Sequence, residues 1–428
     1  MRVKPLLVGL GQRFWALPLG FAVAATVLAL ALTALDESLD TPLHAPFLFG
    51  GGPEGARALL AAVITSMISF TGLVFSITIV VLQLTSSQFS PRVLRSFLED
   101  RFNQVALGVF VATFVYALVV LRGVQDTSQA DPFVPHIAVT AAFVLVLVSV
   151  LVFLAYIHHI AQSIRASTII ASIADDARAL LDRRFPADAP REAELPVPSG
   201  PGRTVTAEGP GVLQWVDDRA LADAAEKHGV CVQLLRSVGE FVPTGGPLAV
   251  VHGAGTLDDA TVRASVHVGR ERSMQEDLGF GPRQLVDIAE RALSPGINDP
   301  TTAVQAIDQL HDLLRRLATR PLPARQVTSE GGRLLVSVPE PGFADHLALA
   351  FDEIAHWGRD DARVTRRLLV ALHDLESAAL PQHRAAVHDA LVQLERSSLG
   401  PRPPAPTVAS SPAPPTVDAL SASDIGLR

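Results

Sequence analysis

Four apolar stretches, each long enough to cross a bilayer, fill most of the first third of the sequence: Phe14–Leu35, Ala58–Leu84, Val105–Leu121 and Ile137–Ile157. A helix rises about 1.5 Å per residue, so roughly 20 apolar residues span the hydrocarbon, with a floor near 17. Inside lipid every backbone N–H and C=O has to bond internally, and a helix does that within one segment. No Asp, Glu, Lys or Arg interrupts any of the four. The first is longer than the ~7–15 apolar residues of a cleaved leader and three more follow it, so it reads as a retained helix. The expected fold class is an α-helical membrane protein with four transmembrane helices and a mixed α+β cytosolic region.

The loops set the expected orientation. Arg2, Lys4 and Arg13 precede the first span, Arg92, Arg95 and Arg101 follow the second, and Arg165, Arg178, Arg183 and Arg184 follow the fourth. The other two loops hold only Arg57 and Arg122 beside six carboxylates. Basic residues stay on the cytoplasmic side, which predicts an inner (cell) membrane protein with both termini in the cytoplasm. Ser90 and Pro91 open a short amphipathic segment, Val93, Leu94, Phe97 and Leu98 against Arg92, Arg95 and Glu99. It suits either a helix lying on the inner membrane surface or a solvated elbow between spans.

Composition removes several classes of chemistry. A net charge of −8 lacks the basic footprint of a nucleic-acid binder. Cys231 is the only cysteine, so neither an internal disulfide nor a cysteine-based zinc site can form. Lys4 and Lys227 are the only lysines, and neither follows a glycine-rich loop. A P-loop and a pyridoxal Schiff base both need such a lysine. His346, His356 and His373 lack the i,i+4 pairing of a metal-binding helix and read as helix-face histidines. No nucleophile elbow, zincin or dinucleotide motif occurs, so no enzyme activity, cofactor or metal is expected. The intramembrane ionisable group of a proton-coupled carrier is missing as well. His158 and His159, at the end of the fourth span, read as interfacial.

Beyond Ile160 the pattern is that of a soluble chain. The last span is expected to run on as one helix through Ile164, Ile169, Ile173 and Leu180. Prolines from Pro186 to Pro201 then mark a linker. Thr204–Ala207, Val212–Val216, Val230–Leu235 and Leu248–Val251 read as strands of a small barrel-sandwich-like unit. Helical periodicity follows in Arg283–Leu293, in the segment after Pro300, and in Phe343–Trp357, Val364–Glu376 and Arg384–Arg396, with a strand at Leu334–Val338. The expected divisions are a transmembrane domain (1–165), a helical extension and linker (166–203), a β-rich domain (204–260), a mainly helical domain (261–398) and a proline-rich disordered tail (399–428).

Two long motifs stand out. One runs from Ser69-Phe70-Thr71-Gly72-Leu73-Val74-Phe75-Ser76 to Gln88-Phe89-Ser90-Pro91-Arg92, and the other is Ala292-Leu293-Ser294-Pro295-Gly296-Ile297-Asn298-Asp299-Pro300-Thr301-Thr302-Ala303. With them the chain, from Val8 to Arg396, resembles the bacterial predicted membrane protein family called domain of unknown function 2254. The resemblance implies a four-span membrane protein and supplies no activity.

Two residue sets are candidates for function. In the second span, Thr65, Ser69, Gly72, Ser76, Ile79, Gln83 and Ser86 follow a heptad spacing and so share one helix face. Small and hydroxylated residues on such a face either pack against another helix or line a neutral aqueous path, with Ile79 as its constriction. The second set is Arg270, Arg272, Gln275 and Asp277 with the turn at Asn298 and Asp299. Two arginines near a helix N-terminus at Pro300 can hold an anion, or the same arginines can pair with neighbouring carboxylates and lock the turn. The expected partners are the lipid bilayer, further copies of the chain and an anionic ligand on the soluble part. The functional expectation is a homo-oligomeric channel gated by its cytosolic region, with a membrane-anchored binding or scaffold protein as the alternative.

Overall fold

The computed structural model describes residues 15–38, 48–88, 100–124, 133–163, 165–187, 194–198 and 202–399. The surface segment expected from Pro91 and the tail after Leu399 lie outside them. The membrane part comprises α1 (Ala16–Ser38), α2 (Pro53–Gln88), α3 (Arg101–Gly123) and α4 (His136–Ser163). All four are long and apolar enough to cross a membrane.

Helix α3 is the hub and packs on each of the other three. Its sequence explains why. Ala106, Gly108 and Ala117 give it a narrow profile, and lipid-embedded helices approach most closely where residues are small. A Cβ placed on Gly108 would fall 2.9 Å from the Phe21 ring of α1, so only glycine fits that crossing. Polar ties then fix the register. Thr113 bonds Ser149 at 2.9 Å, Thr78 bonds Tyr156 at 2.8 Å, and the Tyr116 hydroxyl donates to the Ala138 carbonyl at 3.0 Å. At one end of the bundle Asp36 accepts from the Ile137 and Ala138 N–H groups, capping α4 with a residue of α1. At the other, Asp100 caps α3 through the Phe102 N–H at 2.8 Å and meets His159 Nε2 of α4 at 2.5 Å. His159 is thus a tie between α3 and α4 and not merely interfacial.

The expected continuous helix after the fourth span is interrupted. At Arg165 the backbone turns extended (φ −67, ψ 129) and α5 (Ala166–Arg184) begins. Beyond the break the stripe Ile170, Ile173, Ala174, Ala177 and Leu181 is buried in the helical core of the C-terminal part.

That core joins α5 with α8 (Phe280–Leu293), α9 (Pro300–Ala318), α10 (Phe343–Gly358), α11 (Ala362–Ala378) and α12 (Pro381–Leu399). Asp299 caps α9 through the Thr301 and Thr302 N–H groups, and Pro300 opens it, as the sequence implies. Asn298 makes the turn from α8 to α9 in the left-handed region (φ 48), which asparagine tolerates better than most residues.

The strands are β1 (Arg203–Thr206), β2 (Gly211–Val216), β3 (Cys231–Leu234), β4 (Phe241–Val242), β5 (Pro247–His252), β6 (Val266–Gly269), β7 (Arg325–Thr328) and β8 (Leu334–Val338), with helices α6 (Asp218–His228) and α7 (Asp259–Ala264) between them. They form a five-stranded sheet, β1-β5-β3-β8-β7, and a three-stranded one, β4-β2-β6. The five-stranded sheet draws strands from both sides of the expected division at residue 260. Strands β7 and β8 come from the segment assigned to the helical domain, and Leu335, Val336 and Val338 complete the sheet's apolar core. The β3–β8 pairing is parallel, which a unit of hairpins alone cannot provide. It needs the long crossover through α8 and α9, so sheet and helices are interleaved in sequence.

Candidate functional site

Helix α2 has two opposed heptad faces. Leu60, Val63, Met67, Val74 and Val81 point inward and are buried against the other spans. Thr65, Ser69, Gly72, Ser76, Ile79 and Gln83 point outward and are exposed. Ile79 keeps 50% of its surface open, and a Cβ added to Gly72 would meet nothing within 4 Å. Ser86 lies in the same helix, with its side chain outside the described residues. The face is flanked by Ile68, Leu73, Phe75 and Val80, which suit lipid. Two of its hydroxyls bond back into their own helix, Thr65 to Ala61 O at 2.9 Å and Ser69 to Thr65 O at 3.0 Å. That lowers the cost of placing them in hydrocarbon. The helix holds 36 residues, about 54 Å, and so outreaches a hydrocarbon layer of ~30 Å.

The second candidate set does not assemble. Arg272 donates to both oxygens of Asp277, at 2.6 and 2.8 Å, and lies over the Phe280 ring. Asp277 is buried and also accepts from the Gly279 N–H at 3.1 Å. Gly239, at φ 92, passes so close that a Cβ there would collide with the Asp277 carboxylate. Arg270 and Gln275 stay exposed on the flanking chain. All this sits at the N-terminal end of α8. Asn298 and Asp299 lie beyond its C-terminal end, 14 helical residues and about 20 Å away. The expected anion site joining the two is therefore not formed, because α8 holds its halves apart, and the Arg272–Asp277 pair has the geometry of a lock. Replacing Arg272 with Ala should cost about 2–4 kcal/mol, since a buried carboxylate loses its guanidinium. Thermal unfolding of the detergent-solubilised protein measures it. Unchanged stability, with phosphate raising the melting point of the wild type alone, would restore the ligand reading.

A third cluster carries no signal in the sequence. Arg325, at the start of β7, is only 8% exposed. It contacts Asp218 at 2.8 Å, Glu276 at 2.8 Å and the Val216 carbonyl at 3.3 Å. Burial pushes the Asp218 carboxyl above its usual range even though Arg325 opposes the shift. Nearby, Arg184 at the end of α5 grips one oxygen of Glu340 at 2.6 and 2.8 Å, and burial raises the Glu340 carboxyl too. These pairs join strand ends to helix ends. Beside them lies a cavity of about 330 Å³ lined by Phe185, Glu194, Gln233, Leu322, Ser337 and Glu340 among others. Its lining contains two carboxylates and no Lys or Arg, which does not suit an anion.

The three helix histidines are dispersed. His346 is buried, which lowers its pKa; His356 sits edge-on to Trp357; His373 bonds the Leu369 carbonyl. Among the described residues no group of three His, Cys, Asp or Glu converges to hold a metal ion.

Comparison with known proteins returns the same picture of a membrane protein. A family model described as "Predicted membrane protein (DUF2254)" matches residues 11–374. An uncharacterized protein of Mycobacterium bovis is 35% identical over 409 residues, covering 93% of this chain and 78% of that protein. Two uncharacterized proteins of Mycobacterium tuberculosis match with the same identity and coverage. No solved structure matches.

Proposed function

Because the chain belongs to the DUF2254 family of predicted membrane proteins, we propose that it forms a homo-oligomeric inner-membrane channel for ions or small solutes, gated by its soluble region. The outward face of α2 carries this reading. Thr65, Ser69, Gly72, Ser76 and Gln83 are collected on the one side of α2 that the other spans leave open, while its inward face is apolar apart from Thr78, which bonds Tyr156. A polar stripe facing lipid is unfavourable, and a second copy or an aqueous path relieves it. Four copies of such a face around an axis, or another small number, would enclose a neutral lumen narrowed at Ile79. No catalytic role is assigned to it.

The orientation belongs to the same proposal: four crossings bring both ends to the arginine-rich side, the cytoplasm. A second reading keeps its own support. The back-bonded hydroxyls of Thr65 and Ser69 suit a tight helix seam, in which case the spans serve as an oligomeric anchor for a binding or scaffold region. Light scattering on the purified protein in several detergents tests the shared premise, with a mass above one subunit expected. A monomer in every detergent would remove both the lumen and the seam.

A further inference from the structure

The soluble helical core has one end that lies close to the membrane, and its position follows from helix register. Arg178 of α5 pairs with Asp312 of α9, and Asp182 of α5 pairs with Arg316 of α9. The two helices therefore run parallel, and the same register brings Pro300 alongside Ala166. Ala166 begins α5 directly after α4 ends at Ser163. The turn that precedes Pro300 thus lies within one helix–helix distance, about 8–10 Å, of the point where the chain leaves the membrane.

Helix α10 ends at the same place. Its Leu349 touches the start of α8 at Gly279, and its Gly358 touches Leu293 at the end of α8. The two run side by side in the same direction. Trp357 and Ile297 consequently share this end of the core, and they are 57% and 44% exposed. Pro295, Gly296 and Asn298 of the turn are exposed beside them. The charged groups nearby are Arg165, which precedes Ala166, with Arg291, Arg359 and Arg363, against Asp299, Asp360 and Asp361. Asp299 and Asp361 each turn one oxygen to helix N–H groups. The charges are of both signs and nearly cancel, and apolar surface is what distinguishes this end.

We infer that this end, the Ser294–Asp299 turn with the close of α10, rests on the phospholipid headgroup layer, with Trp357 and Ile297 as interfacial anchors. Trp gains from an environment with one apolar and one hydrated side, and an exposed Ile beside it adds burial in the acyl boundary. With the charges nearly cancelling, the apolar anchors make a zwitterionic leaflet sufficient. Chain continuity with α4 supplies the proximity, so no separate recruitment is needed. The inference is independent of whether α2 lines a lumen. It gives the soluble part a fixed footing on the bilayer, through which changes in the core reach the spans.

Lipid-borne quenching tests it on the whole protein. In a Trp15→Phe/Trp215→Phe background Trp357 is the sole tryptophan. In phosphatidylcholine nanodiscs carrying a doxyl group near the headgroups, Trp357 emission should be quenched, blue-shifted and shielded from acrylamide. The control is Phe241→Trp in the same background with Trp357→Phe, because Phe241 is exposed in the sheet region attached at the far end of α5. It should show the reverse. Trp357 behaving like the control would overturn the inference. So would shielding from both quenchers, which means that protein, not lipid, covers this end. Ile297→Cys in a Cys231→Ser background, bearing a nitroxide, repeats the reading without touching the tryptophans: oxygen should relax it more than an aqueous nickel chelate does, and the opposite order would overturn the inference.

Discussion

Replacing Arg325 with Met is expected to destabilise the protein by about 3–5 kcal/mol, the usual cost of removing one partner from a buried ion pair. Met keeps much of the volume, so the loss is electrostatic. Asp218 and Glu276 would remain beside each other without the guanidinium that separates them, and the Val216 carbonyl would lose a donor. The sign of the pH dependence follows. Burial already raises the Asp218 carboxyl with Arg325 present, and removing the cation raises it further. A carboxyl whose folded pKa is raised holds its proton more tightly in the folded state. The variant is therefore relatively most stable below the ordinary carboxylate range and loses stability as pH rises through the raised value. The gap between Arg325→Met and wild type should be smaller at pH 5 than at pH 8, and adding Asp218→Asn should recover part of it. Thermal unfolding followed by near-ultraviolet circular dichroism reads both. A loss below about 0.5 kcal/mol at pH 8 would mean that water already solvates these groups.

The membrane helices were legible because their signal is local. A span declares itself by length and by lack of charge: three of the four expected segments fall within an observed helix, and the first begins just ahead of α1, with Phe14 outside the described residues. The expected ends differ by a few residues. Helix α2 starts at Pro53 and not Ala58, and so takes in Arg57, which donates to the Val124 carbonyl at 3.1 Å. The helix start at Pro300 was legible for the same cause, since Asp299 and Pro300 are short-range chemistry.

What depended on long-range pairing was not legible. Strand β7 carries Arg325, Gln326 and Thr328, with no clean alternation, and is defined by its pairing with β8. Its position in a sheet with β3, some ninety residues earlier, cannot be read from either segment alone. The Arg272–Asn298 grouping failed likewise. The two sites are neighbours in sequence, but the 14 residues of helix α8 lie between them. The outward heptad of α2 shows the limit from the other side. Spacing correctly put Thr65, Ser69, Gly72, Ser76, Ile79 and Gln83 on one face, yet only the packed bundle separates a face covered by α3 from one left open.

That open face makes Ile79→Ser the most informative substitution in the spans. Ile79 is the one bulky apolar residue in a series otherwise small or polar, and it is half exposed. If α2 lines a lumen, a ring of Ile79 side chains holds back water at one level, and hydroxyls in their place would wet it. Basal ion flux through reconstituted liposomes should then rise about tenfold for each ~1.4 kcal/mol taken off the barrier. If the face is instead a packing seam, the same change removes apolar contact of roughly 1.5–3 kcal/mol per side chain and weakens assembly without opening a path. Mass and flux measured on one preparation separate these outcomes. Flux that rises in a fully assembled variant supports the channel. Flux unchanged in a fully assembled variant removes it, and dissociation without flux moves the function to the soluble region, with the four helices as its oligomeric anchor.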